Sequence, residues 1–164
     1  MKRLFLLICI PMMWVLAGCP VAVDHPLGFP GKEKIDERLV GNWATADTSA
    51  EILSLRITKI DAYTLHAKVL QRGSMYAEEV DDFTGWCTEL NGRQFMYFQD
   101  AADPKSGYYS YCYWFDGNNL VASDFSLKVG GVDAVVSTEA YRAEVQASMG
   151  FSDWLGTAFT YSKR

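Results

Sequence analysis

The stretch FTGWCTELNGRQFMYFQD, residues 83–100, decides the fold class of this chain. Two runs rich in aromatic and aliphatic residues flank the dipeptide Asn91-Gly92. Asn-Gly between two such runs favours the tight two-residue turn of a β-hairpin. The stretch therefore predicts two antiparallel strands joined by a tight turn.

Strand patterns continue on both sides of this hairpin. AEILSLRITKI (residues 50–60) and DAYTLHAKVL (residues 61–70) alternate apolar and polar residues, as half-buried strands do. GYYSYCYWF and NLVASDFSL flank a DGN turn and form a third hairpin. A short strand at 39–45 and a last strand at 157–163 bring the count to eight. Because closure removes exposed edges, we predict a mainly β, eight-stranded antiparallel up-and-down barrel.

One segment before the last strand has a helical period. STEAYRAEVQASMG, residues 137–150, places Tyr141, Val145 and Met149 on one side. Ser137 or Thr138 can cap its start, and a glycine follows its end. The pattern predicts one α-helix between the last two strands.

The N-terminus has the layout of a secretory signal peptide over residues 1–18. Lys2 and Arg3 precede an apolar run from residue 4 to 16, which is followed by the small residues Ala17 and Gly18. The run is shorter than the roughly 20 residues of a membrane-spanning helix.

LAGC, residues 16–19, resembles the bacterial lipobox at every position. The resemblance implies that the Cys19 thiol receives a diacylglycerol, that the chain is cut before Cys19, and that the new amine is acylated. The protein would then be anchored to a membrane of the bacterial envelope with its domain facing the periplasm. Pro20 stands where Asp would favour the inner membrane, so the outer membrane is favoured.

The segment after the lipobox is rich in proline and glycine and has no apolar period. We expect residues 19–35 to form a flexible tether and residues 36–164 to form the barrel domain. Removing residues 1–18 also removes two cations from a chain of net charge −5. Since no basic cluster remains, a nucleic-acid partner is not expected.

Gly41 and Trp43, within LVGNW, resemble the Gly-x-Trp of lipocalins and other calycins. The order of a Gly-x-Trp strand, a meander and a helix is also similar, although a strand follows the helix here. The resemblance to small lipocalin-like bacterial lipoproteins implies a tryptophan at the closed end of the barrel. It also implies a late basic residue beside it, for which Lys163 and Arg164 are candidates.

The third hairpin contains the candidate binding residues. Tyr109, Tyr111, Tyr113 and Phe115 share one face of a strand whose other face is also aromatic. Tyrosine supplies contact area with a hydroxyl group, which suits a binding surface or a cavity wall. We therefore predict ligand or partner contacts at these four residues and at Trp43, with plain core packing as the alternative.

Besides Cys19, two cysteines remain in the mature chain, and two arguments about them conflict. An oxidising compartment favours a disulfide between Cys87 and Cys112. In a meander they lie two strands apart, roughly 9–10 Å, beyond the distance a disulfide spans. Both alternatives stay open at the level of sequence.

Enzyme and metal signatures are absent from the sequence. It contains no Gly-x-Ser-x-Gly, no His-Glu-x-x-His and no phosphate-binding glycine loop. His66 lies on the polar face of its strand, and the acidic run YAEEVDD lacks EF-hand spacing. We expect no enzymatic activity, no metal and no cofactor.

Two functional hypotheses follow from these patterns. The first is a lipid-anchored protein that binds a small apolar or amphipathic molecule inside its barrel. The second is a protein-binding envelope lipoprotein, such as an inhibitor, an immunity-type protein or an assembly factor, with a solid barrel. An open cavity in the barrel would separate the two.

Overall fold

Eight antiparallel strands pair in sequence order and close into a barrel. The computed structural model describes residues 22–47, 50, 52–72 and 78–164. The strands are β1 (Gly41–Ala44), β2 (Ile52–Lys59), β3 (Leu65–Arg72), β4 (Glu78–Leu90), β5 (Arg93–Asp100), β6 (Tyr108–Asp116), β7 (Asn119–Phe125) and β8 (Leu155–Lys163). β1 closes the barrel by pairing with β8, with Trp43 opposite Lys163. The predicted eight-stranded barrel is confirmed.

The tight turns explain why neighbouring strands pair. Asn91 and Gly92 have positive φ angles of 49° and 75°, as the type I′ turn between β4 and β5 requires. Gly117, in the turn between β6 and β7, has a φ of 58°. All three predicted hairpins are present.

The barrel has two ends that differ in structure. We call the end at which β2, β4, β6 and β8 begin the mouth, and the opposite end the base. A 3₁₀ turn at Glu37–Leu39 lies across the base, just before β1. Ile35 and Leu39 are buried there and belong to the apolar cluster of the barrel interior. The base is therefore covered by the chain that leads into the barrel.

A second apolar cluster covers the outer face of β4, β5 and β6. Helix α1 (Thr138–Ser148) contributes Tyr141 and Val145 to it, against Phe95, Tyr97 and Cys112 of the sheet. Ser137 caps the helix by accepting a hydrogen bond from the Ala140 amide at 3.1 Å. The helix between the last two strands is confirmed, and it explains why β6 is aromatic on both faces.

Glu144 ties α1 to the loop that precedes it. Its buried carboxylate accepts hydrogen bonds from the amides of Val129, Gly130 and Gly131. Burial alone would raise the pKa of Glu144, but these amides and the Ser148 hydroxyl outweigh that effect and lower it. The carboxylate thus replaces water for three backbone donors of the loop.

The expectation of a flexible tether over residues 19–35 is wrong for residues 22–35. Val23 forms a backbone bridge with Tyr108, with hydrogen bonds of 3.1 and 2.8 Å, and Leu27 is completely buried. Gly107 makes the close approach possible, since a Cβ there would lie 2.9 Å from the Val23 carbonyl oxygen. Apolar contacts and backbone pairing hold this strap (residues 22–35) on the barrel despite its irregular sequence. The packed unit therefore includes the strap and does not begin at Asp36.

The predicted signal peptide, residues 1–18, and the predicted lipidation site, Cys19, lie outside the described residues. Among the residues that the structure describes, no helix has both the length and the apolar character needed to cross a membrane.

A candidate ligand cavity

The barrel encloses a cavity of about 870 Å³ that extends toward the mouth. Small residues at inward positions create this space, because Ala67 on β3, Ala122 on β7 and Gly156 on β8 line it. Its aromatic wall consists of Phe83, Phe98, Tyr109, Tyr111, Phe159 and Tyr161. The eight-stranded barrel is thus partly hollow, which is one of the two outcomes that this strand number allows.

The base is filled by packed aromatic side chains. Trp43 and Phe115 have ring centroids 6.1 Å apart, and Tyr113 and Phe115 are also 6.1 Å apart. The Trp43 indole nitrogen donates a hydrogen bond to the Leu39 carbonyl at 2.7 Å. The cavity therefore ends above these rings.

Two cations lie on the aromatic rings of the base. The Arg38 guanidinium lies 4.4 Å from the centroid of Phe115, and the Lys163 ammonium lies 5.3 Å from that of Trp43. Of the two candidates for a late basic residue, Lys163 is therefore the one beside the tryptophan. Gly41 has a φ of 152°, and a Cβ there would lie 2.5 Å from the Lys163 Cε. The glycine of Gly-x-Trp thus leaves room for the lysine that covers the tryptophan.

The predicted binding residues separate into two groups. Tyr109 and Tyr111 line the cavity. Tyr113 is only 1% exposed, and it joins Phe115 and Trp43 in the base. The shared face of β6 was correctly predicted, but it runs from the cavity wall into the packed floor, so these residues do not form one site.

Carboxylates at the mouth were missed as site residues by the sequence analysis. Asp81, Asp100 and Asp124 line the cavity from β4, β5 and β7. Asp81 accepts a hydrogen bond from the Gln71 amide, and burial raises the pKa of Asp124. The strand period could have identified Asp81, because it shares a face with Phe83, whereas Asp82 points outward.

Asp82 instead pairs with His66, which the sequence analysis placed on the polar face of its strand. His66 Nε2 lies 2.9 Å from Asp82 Oδ1, and both side chains are exposed on the outer surface. Within the described residues, no three His, Cys, Asp or Glu side chains are grouped so that they could hold a metal ion.

The proposed disulfide between Cys87 and Cys112 is not formed. Both cysteines are free and buried, and β5 separates their strands. Cys87 faces the interior and Cys112 faces the outer cluster under α1, so the two thiols lie on opposite sides of the sheet. Burial raises the pKa of both thiols, to about 11 for Cys112, which keeps them protonated at neutral pH.

The fold and the cavity define a class: a closed, eight-stranded antiparallel barrel with an internal cavity that reaches one end. Comparison with known proteins adds no family to this class, since no family model, no curated protein and no solved structure matches the chain.

Proposed function

We propose that this protein is a lipid-anchored lipoprotein of the bacterial envelope whose barrel binds one small apolar or amphipathic molecule without transforming it. The cavity of about 870 Å³ is the observation that carries the proposal. Its volume lies within the range of small-molecule sites, roughly 300–1,000 Å³. The alternative of a protein-binding module required a solid barrel, so the cavity favours the first hypothesis.

The energetics of the cavity suit an apolar group. Burying a methylene group gains about 0.8 kcal/mol, so roughly eight methylenes gain about 6 kcal/mol before the cost of association. The aromatic wall adds contact area without much loss of side-chain entropy. A short alkyl chain or a ring system therefore fits the site better than a strongly polar solute.

The anchor would hold the cavity close to the bilayer. Val23 pairs with Tyr108 at the start of β6, so the described chain begins at the mouth. An extended chain spans at most about 3.5 Å per residue, which limits Cys19 to roughly 14 Å from Val23. A lipidated Cys19 would therefore keep the mouth, not the base, near the membrane surface, where an apolar molecule can be exchanged.

Photolabelling of the full-length protein in its own membranes tests the binding site. We expect an alkyl diazirine probe to crosslink to cavity-lining peptides, such as those with Tyr109 and Tyr111, and excess unlabelled alkyl compound to compete. Ala122→Phe fills the cavity and should abolish the labelling. Ala158→Phe adds the same ring on the exposed side of the neighbouring strand and should leave it intact. If the labelling of Ala122→Phe were as strong as that of wild type, the cavity would be ruled out as the binding site.

Two further measurements test the anchor. Cys19→Ala should yield a soluble, unlipidated form or an uncut precursor, detected by membrane fractionation and mass spectrometry. A fluorophore at Lys105→Cys, in the mouth loop before β6, should be quenched by headgroup spin labels more strongly than one at Asn118→Cys in the base turn. Equal quenching at both positions would contradict the proposed orientation.

A further inference from the structure

We infer that the cavity selects an amphiphile with a cationic head, such as an alkyl ammonium compound, whose apolar part lies in the barrel and whose head lies at the acidic mouth. This inference rests on the proposed binding function, and it specifies the chemical class of the ligand. The cavity is the site, and the carboxylates at its rim determine which head it accepts.

The carboxylates come from three different strands. Asp81 on β4 pairs in register with Val69, and Asp100 on β5 pairs with Phe83. Asp124 on β7 lies at an inward position two residues from Ala122, toward the mouth. An inward acidic side chain thus lies near the mouth end of each of these strands.

No cation whose side chain the structure describes forms an ion pair with the aspartates of this rim. The residues that line the cavity include no Lys, Arg or His, and none of the ion pairs between described residues involves these three aspartates. Their known hydrogen-bond donors are uncharged: the Gln71 amide for Asp81, and the amides of Ala102 and Asp103 for Asp100. The rim therefore keeps a negative potential, which a bound cation would neutralise.

A carboxylate at the base, in contrast, is paired with a cation of the same chain. Asp36 forms an ion pair with Arg38 at 2.7 Å and accepts a hydrogen bond from the Tyr113 hydroxyl at 3.3 Å. Removing carboxylates from water without a counter-ion costs free energy. Carboxylates that pair with no cation among the described side chains are therefore better explained by a cationic ligand than by stability.

Aromatic rings beside the rim favour the same kind of head. Phe83 packs edge-on against Tyr109 at 6.1 Å and against Phe98 at 6.4 Å, and all three rings line the cavity. Phe83 is the register partner of Asp100, so the aromatic wall continues to the acidic rim. Ammonium groups bind well against such faces, whereas a fatty-acid carboxylate would meet three like charges.

The depth of the cavity limits the apolar part of the ligand. Along β7, Leu120 at the floor lies four positions before Asp124 at the rim. At about 3.3 Å per residue and a strand tilt near 40°, this corresponds to a depth of roughly 10 Å. A short alkyl chain or one ring system fits that depth, and a full phospholipid tail does not.

The test uses three diazirine probes with one short alkyl chain and different heads: trimethylammonium, neutral ether and sulfate. Each is photolabelled onto the full-length protein in its membranes, and labelled cavity peptides are quantified. We expect the ammonium probe to label at least about tenfold more strongly than the sulfate probe, since a tenfold ratio needs only a modest electrostatic difference. Equal labelling by all three heads would refute the cationic ligand but leave the binding function standing. The absence of cavity labelling with every probe would refute the binding function itself.

Substitutions at the rim assign the selectivity to these carboxylates. Asp81→Asn and Asp124→Asn should each lower the ratio of ammonium labelling to neutral-probe labelling by roughly fivefold. Asp82→Asn removes the same charge from the adjacent, outward-facing residue and should leave this ratio unchanged. If Asp82→Asn and Asp81→Asn reduced ammonium labelling equally, the effect would reflect net charge, and the rim would not be the head-binding site.

Discussion

The base and the mouth of the barrel are built by the same strands, yet one is packed and the other is hollow. β6 passes through both, with Tyr109 and Tyr111 on the cavity wall and Tyr113 and Phe115 in the floor. What differs is the partner that each side chain meets. The 3₁₀ turn and Trp43 fill the base, whereas Ala67 and Ala122 leave space above it. The size of the inward residues on neighbouring strands therefore decides where the barrel is open.

The two ends also differ in how their charged side chains are paired. At the base, Arg38 pairs with Asp36 and also covers an aromatic ring, and Lys163 covers another ring. At the mouth, the carboxylates that line the cavity form no ion pair with any described cationic side chain. This contrast supports the proposal that the base contributes stability and that the mouth receives a ligand.

The largest expected effect compares two tyrosines of one strand. Tyr113→Ala removes a fully buried ring from the floor and should lower the free energy of unfolding by about 3–5 kcal/mol. Tyr109→Ala removes a ring that borders empty space and should cost less than about 1.5 kcal/mol. Urea unfolding followed by tryptophan fluorescence measures both values. Similar costs for the two substitutions would show that the mouth is packed as firmly as the base.

A smaller effect is expected where Gly41 and Lys163 meet. Gly41→Ala forces a side chain into a φ of 152° and against the lysine stem, and should cost about 1–3 kcal/mol in urea unfolding. Lys163→Ala alone loses the contact with Trp43 and should cost about 0.5–1 kcal/mol. In the double variant the steric part disappears, so the two costs should sum to more than the measured value. If the two unfolding costs were strictly additive, Gly41 would not be needed to leave room for the Lys163 side chain.

The barrel itself was predictable, because its signals are local. Alternation along β3 assigned Leu65, Ala67 and Val69 to the interior, and Asn91-Gly92 fixed the central turn. Sequence also placed α1 between the last two strands through its helical period. These features depend on residues that are neighbours in the chain.

The strap and the cavity were not predictable in the same way. Val23 pairs with Tyr108, and Val23 and Leu27 are buried in the outer apolar cluster with Tyr97. These partners are distant in sequence, and no periodicity marks the strap. The cavity depends on which inward residues face each other across the barrel. Only the closed structure brings Asp124 of β7 and Asp81 of β4 to the same mouth. In the sequence, Asp81 looks like one member of a surface run of acidic residues.

The smallest expected effect is a difference in sign between two aspartates. At Asp36, burial raises the pKa, but the hydrogen bonds and the charge of Arg38 outweigh it, so the pKa is lowered; at Asp124, burial raises the pKa. The stability contributed by ionised Asp36 is therefore present above its unfolded pKa, about 3.9, and is lost as the pH falls through its lower folded value. Ionised Asp124 destabilises the ligand-free fold at neutral pH, and this penalty disappears as the pH falls through its raised folded pKa.

Asp36→Asn should consequently lower the free energy of unfolding at pH 7, and Asp124→Asn should raise it, each by about 1 kcal/mol or less. Both differences from wild type should shrink on acidification, that of Asp124 at the higher pH. Urea unfolding of ligand-free protein between pH 3 and pH 7, with Asp103→Asn as an exposed control, measures these differences. A loss of stability in Asp124→Asn at pH 7 would mean that this carboxylate supports the fold, and the mouth would then resemble the base.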